Sequence, residues 1–263
     1  MTVPTPSRTA DLVDRLRAAG CVFAEEEAAL LLAQAGTPAE LEAMVSRRVA
    51  GTPLEQVLGW VDFCGLRIRL EPGVFVPRRR TTLMVREAVR RTTGVAAPVV
   101  LDLCCGSGAV GLAVLEGLGH GELHASDVDP VAVRCARDNV GDRGEVHLGD
   151  LDASLPDRLR GTVDVLSANV PYVPTGEIAL MPPEARDHEG RVALDGGADG
   201  LGVLRRVAVV APRWLAPGGC LLVEVAERQV PVALEVLDAS GLRPEVVRDE
   251  DLGATLVVGT APA

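Results

Sequence analysis

The hydrophobic rhythm of the chain changes near residue 80. Before residue 58 apolar positions recur at helical spacing: Leu12, Leu16 and Ala19, then Ala28, Leu31 and Leu32, then Leu41, Met44, Val45 and Val49. Gly20, Gly36-Thr37-Pro38 and Gly51-Thr52-Pro53 punctuate them, which predicts three or four short helices in a small bundle. Residues 61–76 alternate in strand fashion through Leu66, Ile68 and Leu70, with Glu71-Pro72-Gly73 as the expected turn of a hairpin. Beyond residue 80, short apolar runs alternate with amphipathic stretches. Strands are predicted at 99–103, 122–126, 145–148, 163–168, 220–225, 244–248 and 254–259, and helices at 108–118, 130–140, 200–215 and 229–239. Such alternation implies a largely parallel sheet covered on both faces. Only Asp249-Glu250-Asp251-Leu252-Gly253 separates the closing pair, so the last strand is expected to run antiparallel. The expected architecture is α/β: a helical domain over 1–58, a β-hairpin linker over 59–79, and a mostly parallel seven-stranded sheet over 80–263.

Composition narrows the setting. Apolar residues make up 48% of the chain, enough for a sizeable core. No uninterrupted apolar run reaches the roughly 18 residues of a membrane span, so no membrane partner is expected. Met1–Ser7 has no apolar leader core, and the expected location is the cytoplasm. The six cysteines form no CxxC pair and no zinc-like Cys/His spacing, so buried, reduced thiols and no metal are expected. The net charge of −11 argues against direct nucleic-acid binding. It is uneven: 13 Arg face 11 acids up to residue 95, and 13 face 26 acids beyond. There is no lysine, which excludes Schiff-base and lysine-base chemistry. Arg78-Arg79-Arg80 and Arg90-Arg91 read equally as a guide for an acidic partner or as solvated helix starts, and Trp60 and Trp214 read as packing residues.

The most telling stretch is Asn169-Val170-Pro171-Tyr172, placed directly after the strand of Val163, Val165 and Leu166. Open α/β sheets put ligands at the C-terminal ends of their strands. An Asn side-chain oxygen and a neighbouring backbone carbonyl can accept both hydrogens of a planar NH2 group, and a Tyr face can stack on it. That pattern suits a nitrogen on an sp² carbon: a carboxamide or an exocyclic base amine.

A cofactor loop follows the first strand of the sheet. Gly106-x-Gly108-x-x-Gly111, with Asp127 about 20 residues on, matches the dinucleotide fingerprint when taken alone. Two features favour a cationic ligand instead. The glycines begin two residues beyond the strand, and Asp102 sits at the strand end, where a pyrophosphate would lie. Asp-x-x-x-Gly-x-Gly resembles the pattern of S-adenosylmethionine (SAM) methyltransferases. On that reading Asp102, Cys104, Cys105, Gly106, Ser107 and Gly108 border the amino-acid part of SAM, Asp127 pairs with the ribose, and Asp150 with Leu151 receives the adenine. Each has a plainer alternative: Gly111 for close helix packing, Asp127–Pro130 for a helix cap, Asp150 for a loop cap.

With Asn169–Tyr172 added, nearly the whole chain resembles the protein N5-glutamine methyltransferase family. The flanking resemblance runs through Gly51–Gly59, Phe63-x-Gly65-Leu66, Val74–Arg78, His188–Leu201, and Leu221–Glu224 with Gln229. Asn-x-Pro-Tyr alone is shared with adenine-N6 methyltransferases of DNA and RNA, and these flanks favour the glutamine branch. The resemblance implies a Rossmann-like SAM-methyltransferase fold and a substrate-docking helical domain. It also implies SAM as cofactor and a protein substrate, the Gly-Gly-Gln loop of a peptide-chain release factor. Asn169, Val170, Pro171 and Tyr172 carry the catalytic role in that reading, and Asn169 also borders the cofactor. Another protein, a small carboxamide or a nucleic-acid adenine remain as alternative acceptors, and non-catalytic SAM binding as a further reading. The sequence departs from the family where Val170 and Gly190 replace prolines, and in a somewhat short helical region.

Overall fold

A computed structural model describes residues 6–263; Met1–Thr5, part of the segment read for a leader, lies outside the described residues. The glycine and proline punctuation of the first 58 residues delimits four helices, α1 (Pro6–Ala18), α2 (Ala24–Gln34), α3 (Pro38–Val49) and α4 (Leu54–Leu58). Thr37 starts α3 with a reciprocal cap: its hydroxyl accepts from Glu40 N at 3.2 Å, and the Glu40 carboxylate accepts from Thr37 N at 3.1 Å. Leu12, Leu16, Ala28, Leu31 and Val45 form a separate core for these helices.

The hairpin is β1 (Trp60–Phe63) with β2 (Leu66–Arg69), so its turn is Cys64-Gly65 and not the expected Glu71-Pro72-Gly73. Both turn residues have positive φ, 51° and 81°, the backbone of a two-residue turn that matches strand twist. Gly73–Val76 forms no strand; Val74 and Val76 are buried, and Gly73 makes a single bridge to Glu189. Cys64 is exposed at the turn, contrary to the expectation of buried thiols, because a turn tip points its side chains to solvent.

A helix absent from the expected set, α5 (Thr82–Thr92), enters the sheet domain. The strands are β3 (Val99–Leu103), β4 (Glu122–Asp127), β5 (Gly144–Leu148), β6 (Val163–Ala168), β7 (Leu215–Glu224), β8 (Arg243–Asp249) and β9 (Ala254–Thr260). Their order is β5-β4-β3-β6-β7-β9-β8, and β9 runs antiparallel to both neighbours, as the short final connection requires. Helices α6 (Ala109–Leu118) and α7 (Pro130–Val140) join α5 over Val100, Leu123 and Leu222. On the other face α9 (Gly202–Val210) and α10 (Val230–Ala239) cover Leu101, Leu166 and Leu221. The helix expected over 200–215 ends early, in a 3-10 turn at Ala211–Arg213 carrying Pro212, and β7 starts at Leu215, five residues before its expected start. A short helix, α8 (Pro183–His188), lies in the long β6–β7 connection. β3 lies between β4 and β6, so the chain reverses its winding there and opens a crevice at the strand ends.

Candidate active site

The loop after β3 is shaped by hydrogen bonds to acids. Asp102 is 1% exposed, and both its carboxylate oxygens are engaged, by Gly111 N at 2.9 Å and Ser167 Oγ at 2.8 Å. The Gly111 N–H belongs to the first turn of α6, where it has no intrahelical acceptor, so Asp102 completes that helix start. Asp102 therefore does not turn its charge towards a ligand as the sequence reading expected. A carboxylate this deeply buried needs donors from the protein, and the loop supplies them. Burial raises its pKa to about 6 even so. Asp127 accepts from Gly106 N and from Asp129 N, each at 2.9 Å, while the true helix cap is Asp129, which accepts from Val131 N at 2.8 Å. Gly108 has φ +76°, and a Cβ there would press Ala136 and Val140 at 3.2 Å. Close helix–strand packing also holds at Gly111, where a Cβ would lie 2.8 Å from Leu123.

Asp102, Cys104, Cys105, Gly106, Ser107, Asp127, Asp150, Leu151, Asn169, Val170, Pro171 and Tyr172 line one cavity. Gly108 underlies its loop without lining it. Cys104 and Leu151 adopt left-handed backbone at φ 55° and 52°, on two different loops of the cavity, a kind of strain that concentrates at functional sites. Asp150, at the rim, pairs with Arg206 at 2.7 Å. Burial pushes both cysteine thiols up, so neither is a nucleophile.

The Asn169 loop is clamped from behind. Gly196 N donates to Val173 O at 2.8 Å, Val173 N to Leu194 O at 3.2 Å, and Gln229 Nε2 to Tyr172 O at 2.9 Å. Gly196 and Gly200 leave no room for side chains: a Cβ would come within 2.7 Å of Pro171 O and 2.2 Å of Tyr172 O. The front of the loop is free. Among the described residues neither the Asn169 side chain nor the Val170 carbonyl has a hydrogen-bond partner.

A charged wall, not seen as such in the sequence, closes the other side. Glu224, 2% exposed at the end of β7, accepts from Arg80 Nε at 2.7 Å, from Thr81 Oγ1 at 2.8 Å and from the Tyr172 hydroxyl at 3.2 Å. Arg80 also donates to the Tyr172 oxygen and lies 5.7 Å from its ring centroid. Burial and the Glu224 charge hold the Tyr172 pKa up at about 12, so the phenol stays protonated. Arg78 pairs with buried Glu189. Two of the three clustered arginines are thus internal to the site rather than free to steer a partner. The usable signal was the acid ending the apolar run Leu221-Leu222-Val223-Glu224, since a buried acid demands partners.

Elsewhere, His124, Glu145 and His147 bring their ligand atoms within 4.8 Å of one another. The two imidazoles share an N–H···N contact of 3.1 Å, and Arg158 spans Glu122 and Glu145 at 2.5 and 3.0 Å. None of these residues lines the cavity.

Residues 64–196 match the family model described as "Ribosomal protein L11 methyltransferase (PrmA)". A release factor glutamine methyltransferase of Geobacter sulfurreducens is 36% identical over 84% of this chain and 78% of its own length. One from Streptomyces coelicolor is 39% identical over 71% and 67%. A 4-amino-L-phenylalanine/4-methylamino-L-phenylalanine methyltransferase of Streptomyces pristinaespiralis is 35% identical over 75% and 69%. Among solved structures, a methyltransferase from Pyrococcus furiosus superimposes with a TM-score of 0.54 at 18% identity, covering 83% of this chain and 98% of the other.

Proposed function

The chain belongs to the release factor glutamine methyltransferase family, and from that membership we propose that it methylates the side-chain amide nitrogen of a glutamine in a protein, the Gly-Gly-Gln loop of a release factor. The observation that carries the reading is the pair of unpartnered acceptors, Asn169 Oδ1 and the Val170 carbonyl, side by side at the end of β6 and next to Tyr172.

The donor set suits SAM. Acids gather on the β3, β4 and β5 loops, and Gly106 brings bare backbone to the cavity. Cys104 to Ser107 would border the cofactor's amino-acid portion, with Asp102 and Gly108 acting by fixing their loop; Asp127, and Asp150 with Leu151, would meet the ribose and adenine. Bound there, SAM supplies an electrophilic sulfonium methyl. The chain's own residues do the rest. A carboxamide nitrogen is a weak nucleophile because its lone pair is delocalised into the carbonyl. Asn169 and the Val170 carbonyl accept both N–H hydrogens, orienting the lone pair and drawing it out of conjugation, while the Tyr172 ring supports the amide plane. Placement alone has a ceiling on the order of 7–11 kcal/mol. No base is required, since the product readily loses its proton, and the protonated Tyr172 is no candidate for one.

No helix among the described residues is long and apolar enough to cross a membrane, and a translation-factor substrate would place the protein in the cytoplasm. One second reading has support: the relative named for 4-amino-L-phenylalanine suits a small aromatic amine, whose NH2 the same two acceptors, Asn169 and the Val170 carbonyl, would hold. Radiolabelled SAM offered with release factor, with a variant lacking the glutamine, with 4-amino-L-phenylalanine, and with DNA and RNA separates these. Label in release factor that depends on the glutamine is expected; label confined to the amino acid or to nucleic acid would overturn the proposal.

A further inference from the structure

His124 and His147, 23 positions apart in the chain, are brought together by strand register. In the parallel pairing of β4 with the edge strand β5, His124 lies opposite Glu145 and Ser126 opposite His147. Residues two apart on a strand share a face, so Glu122, His124, Glu145 and His147 all stand on one side of the sheet. That placement brings His124 Nδ1 to 3.1 Å from His147 Nε2, and Glu145 Oε2 to 3.9 Å from the same Nε2. The donor atoms of the three residues all lie within 4.8 Å of one another.

Hydrogen bonds around the cluster decide which atoms are available. His124 Nε2 lies 2.8 Å from Glu122 Oε1, so a neutral His124 donates Nε2–H there and keeps its lone pair on Nδ1. A carboxylate that holds the outward N–H of an imidazole is the arrangement that orients a metal-ligating histidine. Arg158 pairs with Oε1 of both acids, Glu122 at 2.5 Å and Glu145 at 3.0 Å, while Oε2 of Glu145 is the oxygen towards His147. A proton on His147 Nε2 fills the gap between the rings. Moving it to Nδ1, which has no hydrogen-bond partner among the described residues, frees a second lone pair with no net proton released. The His124 side chain is 0% exposed, but those of His147 and Glu145 are 15% and 58% exposed, so the cluster opens to solvent at the sheet edge. At ligand distances of about 2.0–2.2 Å a tetrahedral ion spaces its donors roughly 3.3–3.5 Å apart, so the two nitrogens must part, and Oε2 close in, by about half an ångström or less.

We propose that His124 Nδ1, His147 Nε2 and Glu145 Oε2 form a zinc site, with water in the fourth position and Glu122 orienting His124 from behind. Two imidazoles and one carboxylate suit zinc, whereas magnesium and calcium take oxygen sets. None of the three residues lines the cavity, so the ion fastens the fold and takes no part in methyl transfer. It ties the edge strand β5 to β4 just ahead of Gly149-Asp150-Leu151, and Asp150 and Leu151 line the cavity. The proposal stands apart from the choice of methyl acceptor.

The test titrates zinc chloride into the full-length, chelator-treated protein by calorimetry, with cobalt chloride as a spectroscopic probe. One zinc equivalent is expected to bind and to resist displacement by excess magnesium or calcium. Bound cobalt should give a visible spectrum without thiolate charge-transfer absorption, which separates this site from the cysteines. Glu122→Gln should weaken zinc binding about 10-fold and His147→Ala about 100-fold. The Gln variant preserves side-chain shape, so the test stands even where the Ala variant folds poorly. Zinc at about 100 times its Kd should raise the wild-type Tm by roughly 5–10 °C, and that of His147→Ala by less than about 2 °C. No saturable zinc binding would overturn the proposal and leave Arg158 and the shared proton as the cluster's full set of partners. Affinity unchanged in both variants, or a thiolate band with cobalt, would overturn it by placing the ion elsewhere.

Discussion

Replacing Glu224 tests whether the Tyr172 ring is held by charge or merely by packing. Its carboxylate is buried and takes three donors, from Arg80, Thr81 and Tyr172. Removing one partner of a buried ion pair costs about 3–5 kcal/mol. Here the arginine side chain is 43% exposed and can turn to water, which lowers the expectation for Glu224→Ala to about 2–4 kcal/mol. At about 2–4 °C per kcal/mol for a domain of this size, Tm should fall by roughly 5–15 °C. Glu224→Gln differs in kind. Its carbonyl can still accept from Arg80, and its NH2 can donate to Thr81 Oγ1 after the hydroxyl rotates. Arg80 and the Tyr172 hydroxyl share Oε1, so both keep a neutral acceptor and only the charge is lost, about 1–2 kcal/mol. Glu224 does not line the cavity, so SAM affinity should hold in both variants while kcat/KM for the acceptor falls as the ring loosens. Scanning fluorimetry, SAM titration and turnover on release factor read the three quantities. Equal Tm losses for Ala and Gln would refute the charge argument, and no loss in either would refute the network.

Asn169→Ala should keep the Kd of SAM within about twofold while lowering turnover about 10²–10³-fold, the scale for losing one preorganised polar contact to the reacting group; collapse of SAM binding would remove Asn169 from its orienting role. Gly200→Ala should abolish turnover, because at φ +78° its Cβ would lie 2.2 Å from Tyr172 O. Gly253→Ala, at φ +59° in open space, should cost only about 1–2 kcal/mol of stability by thermal melt and leave turnover intact. Asp102 contributes a pH dependence of defined sign. Its folded pKa of about 6 exceeds the ordinary aspartate value of 3.8, so the folded state binds more protons between those values and this residue's contribution to stability declines as pH rises through that window. Asp102→Asn mimics the protonated form, so its Tm minus that of wild type should climb from pH 4 to 6 and then level off; a flat difference would show that Asp102 ionises as easily as in the unfolded chain.

The sheet was legible because each strand is a buried apolar run bounded by turn residues, and the antiparallel end followed from a connection too short to cross over. The hairpin turn was misplaced since Glu71-Pro72-Gly73 is the stronger local signal, whereas Cys64-Gly65 works through paired positive φ that a cysteine rarely adopts. In the site, Asn169–Tyr172 and the glycine loop were readable because their chemistry is local. The Arg80–Glu224–Tyr172 wall was not. Its members are separated by 144 and 92 positions, and only the fold brings them together. Asp102 illustrates the same limit. Its place at the strand end was evident, but nothing in the chain order says that Gly111 and Ser167 claim both its oxygens.

The two departures from the family's prolines have a common physical logic. Val170 gives up a fixed φ, yet it is 2% exposed within the core under α9 and α10, and the residues after it are clamped by Leu194, Gly196 and Gln229. Packing and hydrogen bonds supply the rigidity that a second proline ring would have supplied covalently. Gly190 sits at φ −59°, a backbone that proline itself adopts, but its N–H donates to Gly73 O at 3.0 Å, a bond proline has no hydrogen to make. That bond ties the segment after α8 to the chain entering the sheet domain, beside the Glu189–Arg78 pair. Gln56 reinforces the tie from the helical region by donating to His188 O at 3.0 Å, and Arg48 does so by pairing with Glu184 at 2.7 Å. The segment that helps wall the cavity is therefore held by tertiary contacts that reach the N-terminal helices.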